Sequence, residues 1–392
     1  MRFETAKIKD LISEISMGPF GSNIKVECFV DTGIPVLNGS NLDGYVLKEN
    51  SFRYVTEEKA DSLGRANAHR GDVVITHRGT LGQIVFIPKT SLHDRYVISQ
   101  SQFRVRCNQR ILPEYLVYYF HTRKGQHKLL SNASQVGVPA LARASTTFQE
   151  IEIEIPAVID QERIVGILET IRKKEEINNA INENLQAQAQ AIYQHMIIDN
   201  ADDSWTPGVL SDIAVITMGQ SPKGESYNED GVGTVFFQGR AEFGFRFPTR
   251  RLYTTDPKRM AKANDALMSV RAPVGDMNVA YEDCCIGRGL GAIRSKDGHQ
   301  SFVLYTMLAL REQLNVFNGE GTVFGSINRD AFNSMPIDIP PQEIMDQFED
   351  IVAPMDAAIR NNYDEICRLQ ALRDSLLPRL MSGELDVSNL GL

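Results

Sequence analysis

Two stretches of this chain carry a seven-residue apolar period, and both predict long helices. Stepping by seven from Ile164 gives Ile171, Asn178, Leu185 and Ile192, with Ile167, Ile181 and Met196 adding to the adjoining stripe. The same step from Phe348 gives Met355, Asn362, Leu369 and Leu376, at a constant offset of 184 residues. Heptads of this kind predict coiled-coil partners, so these ten positions are the expected helix-pairing residues. The asparagine in the middle of each series has two readings: a buried polar residue that fixes register, or a polar residue on a partly exposed stripe. Asp160-Gln-Glu-Arg163 offers a capping residue and first-turn acid for the first helix, which is expected to run to about Ile198. Pro378 is expected to kink or end the second helix, with Ser382-Gly383 as a stop.

Ahead of each helix the pattern changes to short apolar runs broken by glycine, which predict strands. Gly71–His77, Gln83–Pro88 and Phe103–Cys107 have counterparts in Asn264–Val270, Asn278–Tyr281 and Gly291–Arg294. Pro113–Phe120 and Ser301–Leu310 predict one helix in each copy. The correspondence extends to Ile15-Ser-Met-Gly18 with Ile216-Thr-Met-Gly219, and to Arg78-Gly-Thr-Leu-Gly82 with Arg271-Ala-Pro-Val-Gly275. It extends also to Ile151–Pro156 with Met335–Pro340, each leading directly into a helix. A period of nearly half the chain is too long for a solenoid unit, so the chain is a tandem duplication of a domain plus a helix. The expected fold class is α+β, with domains at 1–155 and 200–340, helices at 156–199 and 341–385, and a tail at 386–392.

A length of 392 residues exceeds what one core usually carries, which agrees with two domains. The net charge of −9 looks unfavourable for a polyanion partner until it is divided along the chain. Residues 1–155 hold 19 basic and 16 acidic side chains, and 205–340 hold 14 and 15. The helical segments hold the acidity, with 4 basic against 9 acidic in 156–204 and 4 against 10 in 341–392. Contact with a polyanion therefore belongs to the two domains. The five cysteines show no metal-site spacing, and the vicinal pair Cys284-Cys285 reads as small residues in or beside a strand. The chain opens without a basic-then-apolar leader and has no long apolar run, so a cytoplasmic protein is expected.

Catalytic patterns are missing. Gly18–Lys25 does not have phosphate-loop spacing, and Gly287-Arg-Gly-Leu-Gly291 is a bare glycine triplet with no glycine in its first-copy counterpart, so no cofactor is expected. Asp338-Ile-Pro-Pro341 lacks the aromatic that would stack on a flipped base. What remains are polar and arginine residues at the ends of predicted strands, the side-chain types that read base edges in the major groove. In the first copy the candidates are Asn38, Ser40, Asn41, His77, Arg78, Thr80, Gln100, Gln102 and Arg143. In the second they are Gln238, Arg240, Arg271, Arg288 and Asn328. Each taken singly reads more readily as a solvated loop or turn residue. As a set they share a scaffold and differ in chemistry, as two readers of different sequences would.

The ordered set of Ile-x-Met-Gly near each domain start, Ile155-Pro-Ala and Ile339-Pro-Pro before the helices, Ile177-Asn-Asn-Ala-Ile-Asn-Glu-Asn-Leu185, and the ending Leu376-Leu-Pro-Arg-Leu-Met-Ser-Gly-Glu-Leu385 resembles the specificity (S) subunits of type I restriction-modification systems. The resemblance covers essentially the whole chain. It implies two target recognition domains separated by two long antiparallel helices in a pseudo-twofold arrangement, reading a bipartite double-stranded DNA sequence. It also implies partner methyltransferase (M) subunits, two of them, and restriction (R) subunits, with no membrane association and no catalysis in this chain. A first helix of roughly 55 to 60 Å would act as a ruler spanning about 16 to 17 base pairs. Two alternatives remain at this stage: a stand-alone DNA-binding or scaffold protein without a methyltransferase partner, and an enzyme in its own right.

Overall fold

Asp72-Val-Val-Ile-Thr76 is apolar on both faces because both faces of its sheet are covered. In the computed structural model, Val73 and Ile75 pack against the helix Pro113–His121, whereas Val74 faces a second sheet beside Leu37, Tyr96 and Ile98. The structure describes residues 1–19, 21–134, 137–202, 205–319 and 325–388. The run Gly18–Lys25, the linker after Asn200 and the C-terminal tail lie partly outside these residues.

The chain divides into two compact units, residues 1–176 with 366–392, and residues 177–365. In the first, a four-stranded sheet runs Ile12–Met17, Gln102–Cys107, Asp72–Thr76, Ile84–Phe86. A five-stranded sheet runs Phe29–Val30, Arg53–Val55, Ile34–Val36, Arg95–Val97, Asn67–His69. The opening strand Phe3–Lys7 pairs antiparallel with Glu152–Pro156, which closes the domain just before the long helix. The second unit repeats this topology. Its four-stranded sheet runs Ala214–Met218, Leu290–Ser295, Ala266–Ser269, Met277–Val279, and its five-stranded sheet runs Tyr227–Asn228, Leu252–Thr254, Thr234–Phe237, Cys284–Ile286, Met260–Ala261. Thr206–Val209 with Pro336–Ile339 closes it. Ala266 and Met268 pack toward the helix Gln300–Ala309, and Leu267 toward the second sheet. Helix and sheet are therefore mixed, in a helix/sheet/sheet layering within each unit. Cys284 and Cys285 are both buried in a strand, and burial pushes the Cys284 thiol up to about 12.

The first long helix spans Val158–Tyr193 and continues as π-helical turns over Gln194–Asp199. It starts two residues before Asp160, which is not its cap but a first-turn residue paired with Arg163 at 2.9 Å. The entry is fixed instead by buried Gln161, whose amide accepts from Leu112 N and donates to Arg110 O and Pro156 O. The second long helix spans Gln342–Ser382 and runs through Pro378 without ending there. Pro378 lies on an exposed face, where water can take the carbonyl that the ring displaces. The stop comes at Gly383, whose φ of +78° suits the left-handed position after a helix.

Along the first helix Ile164, Ile171 and Asn178 are buried, and Leu185 and Ile192 are half-buried. The buried companion stripe is Leu168, Glu175, Asn182 and Ala189; Ile167 and Met196 pack partly buried against the cores, and Ile181 is exposed. On the second helix Phe348 is buried, while Met355, Asn362, Leu369 and Leu376 are half-buried. Within the second unit the segments run antiparallel: Tyr193 meets Phe348, Asn182 accepts from Asn362 at 2.8 Å, and Asn178 donates to Glu365 at 2.8 Å. Within the first unit Glu175 pairs with Arg373 at 3.4 Å, and Ile164 shares a core with Leu377 and Leu380. The two central asparagines thus bond to other polar residues of the seam and not to each other. Among the described residues no helix is long and apolar enough to cross a membrane.

Glycine substitutions separate backbone contact from helix propensity. A Cβ on Gly18 would sit 1.9 Å from Ser99 O, and one on Gly219 2.1 Å from Gly287 O, whereas nothing lies within 4 Å of one on Gly166 in the first long helix. Gly219→Ala is expected to lower stability by about 1 to 3 kcal/mol, and Gly166→Ala to raise it by about 0.5 to 1 kcal/mol. Denaturant melts of the two variants check both signs.

Candidate nucleic-acid interface

The loops at one end of each four-stranded sheet are tied together by main-chain hydrogen bonds that match bond for bond. In the first unit Gly18 donates to Gln102 O, Gln102 to Ser99 O, His77 to Ser101 O, Gly79 to Pro139 O and Leu141 to His77 O, all at 2.8 to 3.0 Å. In the second Gly219 donates to Leu290 O, Leu290 to Gly287 O, Val270 to Gly289 O, Ala272 to Gly325 O and Ile327 to Val270 O, at 2.9 to 3.1 Å. Gly18 and Gly219 are required because the loop carbonyl occupies the place of a side chain. Each set brings together segments far apart in sequence, with the side chains between the bonds free to differ.

In the first unit Asn38, Ser40, Arg78, Thr80, Gln100 and Arg143 are exposed, and His77 is half-buried. Arg78 bridges to Ala140, which brings the segment leading to Arg143 beside it. Arg143 has φ of +47°, the left-handed region, just before the helix Ala144–Glu150. Asn41 and Gln102 are buried instead. Asn41 spends its amide on Asn38 N, Lys48 O and Asn50 O, and Gln102 spends its own on Ser99 N and Asn38 O. These two hold the loops in shape, and their amides are not presented to a base edge.

In the second unit Gln238, Arg240, Arg271, Arg288 and Asn328 are all exposed. Arg271 bridges to Ser326, the counterpart of the Arg78 bridge. Arg288 places its main-chain N on Ser221 Oγ at 3.2 Å, leaving the guanidinium outside. Asn328 caps the helix Arg329–Asn333 by accepting from Ala331 N. Arg240 is ion-paired with Asp276, which also takes Arg311 at 3.0 Å.

Sequence reasoning passed over Gln83 and Asp276, which follow the repeated Gly82 and Gly275. Gln83 donates to Gly39 O at 3.0 Å and Asp276 holds Arg240, so the same position secures the equivalent loop by different chemistry. The repeated glycine was the available signal. Strand arginines are otherwise engaged: Asp72 is buried against Arg104 and Arg106 at 3.2 and 2.8 Å, and Asp265 pairs with Arg294 at 2.7 Å.

Residues 3–187 and 202–367 each match the family described as type I restriction modification DNA specificity domain. The chain is 26% identical to the MjaX type I restriction enzyme specificity subunit of Methanocaldococcus jannaschii, covering 98% of this chain and 94% of that one. It is 23% identical to the MjaIX specificity subunit of the same organism, covering 99% and 94%. In fold it is similar to the crystal structure of a type I restriction-modification S subunit from M. genitalium, with TM-score 0.60 and 13% identity over 97% and 96% of the chains.

The surroundings of three histidines predict opposite pH dependence for the two units. Burial holds His77 below its ordinary pKa although its Nε2 donates to Gln100 O at 3.0 Å, and burial also lowers His121, which donates to Ile84 O. The unfolded chain protonates these imidazoles near pH 6.5, so the first unit should lose stability as pH falls through that range. His299 is opposed by burial but raised on balance by Asp297 at 3.0 Å and Asp346 at 2.7 Å. Its contribution is present below its unfolded pKa and lost as pH rises through the raised folded value. Thermal melts from acid to neutral pH should show the acid-side loss flattened by His77→Gln with His121→Gln, and the loss on raising pH flattened by His299→Gln. An acid limb unchanged in the double variant would contradict this assignment.

Proposed function

The chain belongs to the type I restriction-modification DNA specificity family, and from that premise we propose how it recognises DNA. It acts as the sequence-specific recognition subunit of a type I complex, with the domains at 1–155 and 200–340 each reading one half of a bipartite target. The observation that carries this reading is the pair of equivalent loop clusters: the main-chain bonds are the same, while His77-Arg-Gly-Thr80 stands where the other copy has Val270-Arg-Ala-Pro273. A shared frame with different exposed side chains suits recognition of two different short sequences. Arg78, Arg271 and Arg288 are proposed to contact guanine, and Asn38 and Gln238 to contact adenine, as these side chains do in the major groove. Arg143, Ser40, Thr80, Gln100, Arg240 and Asn328 complete the proposed contact set, with Asn41 and Gln102 as internal supports and His77 as a neutral hydrogen-bonding group.

The long helices are proposed to set the unread spacer and to dock two methyltransferase subunits, with restriction subunits joining the same complex. Catalysis is assigned to those partners. Near-balanced charge in the domains favours this reading over a solitary DNA binder, since affinity independent of sequence comes largely from neutralised phosphates.

Arg78→Ala and Arg271→Ala test the assignment when each is assembled with the methyltransferase and the methylated sites are sequenced. Each should weaken discrimination at one half-site by about 1 to 3 kcal/mol, or roughly 5- to 150-fold, and leave the other half unchanged. Equal loss at both halves would assign these arginines to phosphate contact instead.

A further inference from the structure

The segment that follows each proposed reading loop is fastened to the second long helix, and the two copies use opposite chemistry at the same position. Phe86 N donates to Tyr45 O at 3.1 Å and Val279 N donates to Arg246 O at 2.9 Å, so Tyr45 and Arg246 are equivalent in the repeat. Tyr45 follows closely on Asn38–Asn41, and Arg246 on Gln238–Arg240. Both lie against the tyrosine of the domain helix. The Tyr45 and Tyr118 rings are 4.8 Å apart, and the Arg246 guanidinium lies 5.6 Å from the Tyr305 ring and donates to its hydroxyl at 3.3 Å.

Each then meets the second long helix. In the first unit the cation belongs to the helix: Arg373 lies 5.5 Å over the Tyr45 ring, with Glu175 and Asp374 holding its other nitrogens. In the second the cation belongs to the loop: Arg246 forms an ion pair with Asp356, whose carboxylate also accepts from Tyr305 at 3.1 Å. These contacts are largely shielded from water, with the Arg373 side chain 17% exposed and that of Arg246 6%, which strengthens a cation–ring or charge contact relative to one on the surface. The intervening backbone is tied down by hydrogen bonds. Lys48 N donates to Asn41 O, Asn278 Nδ2 to Gly244 O and Thr249 N to Glu242 O. A shift of Tyr45 or Arg246 is therefore transmitted to the loop that precedes it.

We propose that Arg373, through Tyr45, and Asp356, through Arg246, are positioning residues for base recognition, each fixing the reading loop of its own unit and acting on one half-site only. The inference rests on the specificity reading above. It assigns to the second long helix a share in sequence choice, in addition to spacing. It also makes the anchors non-interchangeable: an arginine at position 45 would face Arg373, and a tyrosine at position 246 would leave Asp356 without its cation.

The test uses the full chain assembled with its methyltransferase, a DNA library randomised within each half-site in turn, and sequencing of the methylated products. Arg78→Ala and Arg271→Ala identify which half belongs to which unit. Arg373→Ala should relax the first unit's half-site by about three- to thirtyfold while the second stays unchanged, and Tyr45→Phe, which keeps the ring, should remain close to the parent. Arg246→Asp should relax the second half-site, and adding Asp356→Arg should restore part of the discrimination. Thermal melts accompany each variant, so that a general loss of folding is seen as a lowered melting temperature and is told apart from a change in recognition. An unchanged profile for Arg373→Ala, or equal loss at both half-sites from any of these variants, overturns the proposal. Failure of the parent complex to methylate any bipartite sequence would overturn the specificity reading instead.

Discussion

The loop clusters depend on hydrogen bonds between main-chain groups. His77 N to Ser101 O and Val270 N to Gly289 O, with their neighbours, hold segments that are distant in sequence at fixed positions without using the exposed side chains. Such bonds constrain the backbone and leave side-chain identity open, except where another backbone comes too close for a Cβ, as at Gly18 and Gly219. A duplicated frame of this kind can diverge in what it presents without losing its shape. Buried amides such as those of Asn41 and Gln102 do similar work in the first copy, where Leu290 stands in place of Gln102 in the second.

Local packing extends the same logic into the helices. Gln161 ties the start of the first long helix to the end of its domain, and antiparallel contacts run along the helix segments within each unit. The seam is apolar at Ile164, Leu168, Phe348 and Val352 but polar at Glu175, Asn178 and Asn182, each with a partner on the facing segment. Buried polar groups are tolerated when they are paired, and an unmatched one is costly, so these positions favour one alignment over its neighbours. Arg373 and Asp356 belong to this helix and also touch Tyr45 and Arg246, the residues that follow the proposed reading loops.

Much of this was legible in the sequence because duplication supplies an internal comparison. Repeated Ile-x-Met-Gly, the glycines at 82 and 275 and the heptads from Ile164 and Phe348 located the strands and helices. Ile181 departs from the expected stripe: it is more hydrophobic than Asn182 yet faces solvent, and the polar residue gains its place by pairing with Asn362. Pro378, expected to kink or end the second helix, does not end it, because a proline on an exposed helix face can be accommodated. Among the candidate readers, Asn41 and Gln102 had suitable chemistry but are occupied inside the loops. Tyr45 and Arg246 escaped notice because equivalent positions do equivalent work with dissimilar side chains, and only the matched bonds to Phe86 and Val279 reveal the relation.

The central claim is that one frame, used twice, presents two different readers. The most direct measurement is sequencing of methylated sites across a random DNA library, using the chain assembled with its methyltransferase. The account predicts two short, unlike half-sequences separated by an unread gap of fixed length. A single continuous motif, or two identical halves, would contradict it.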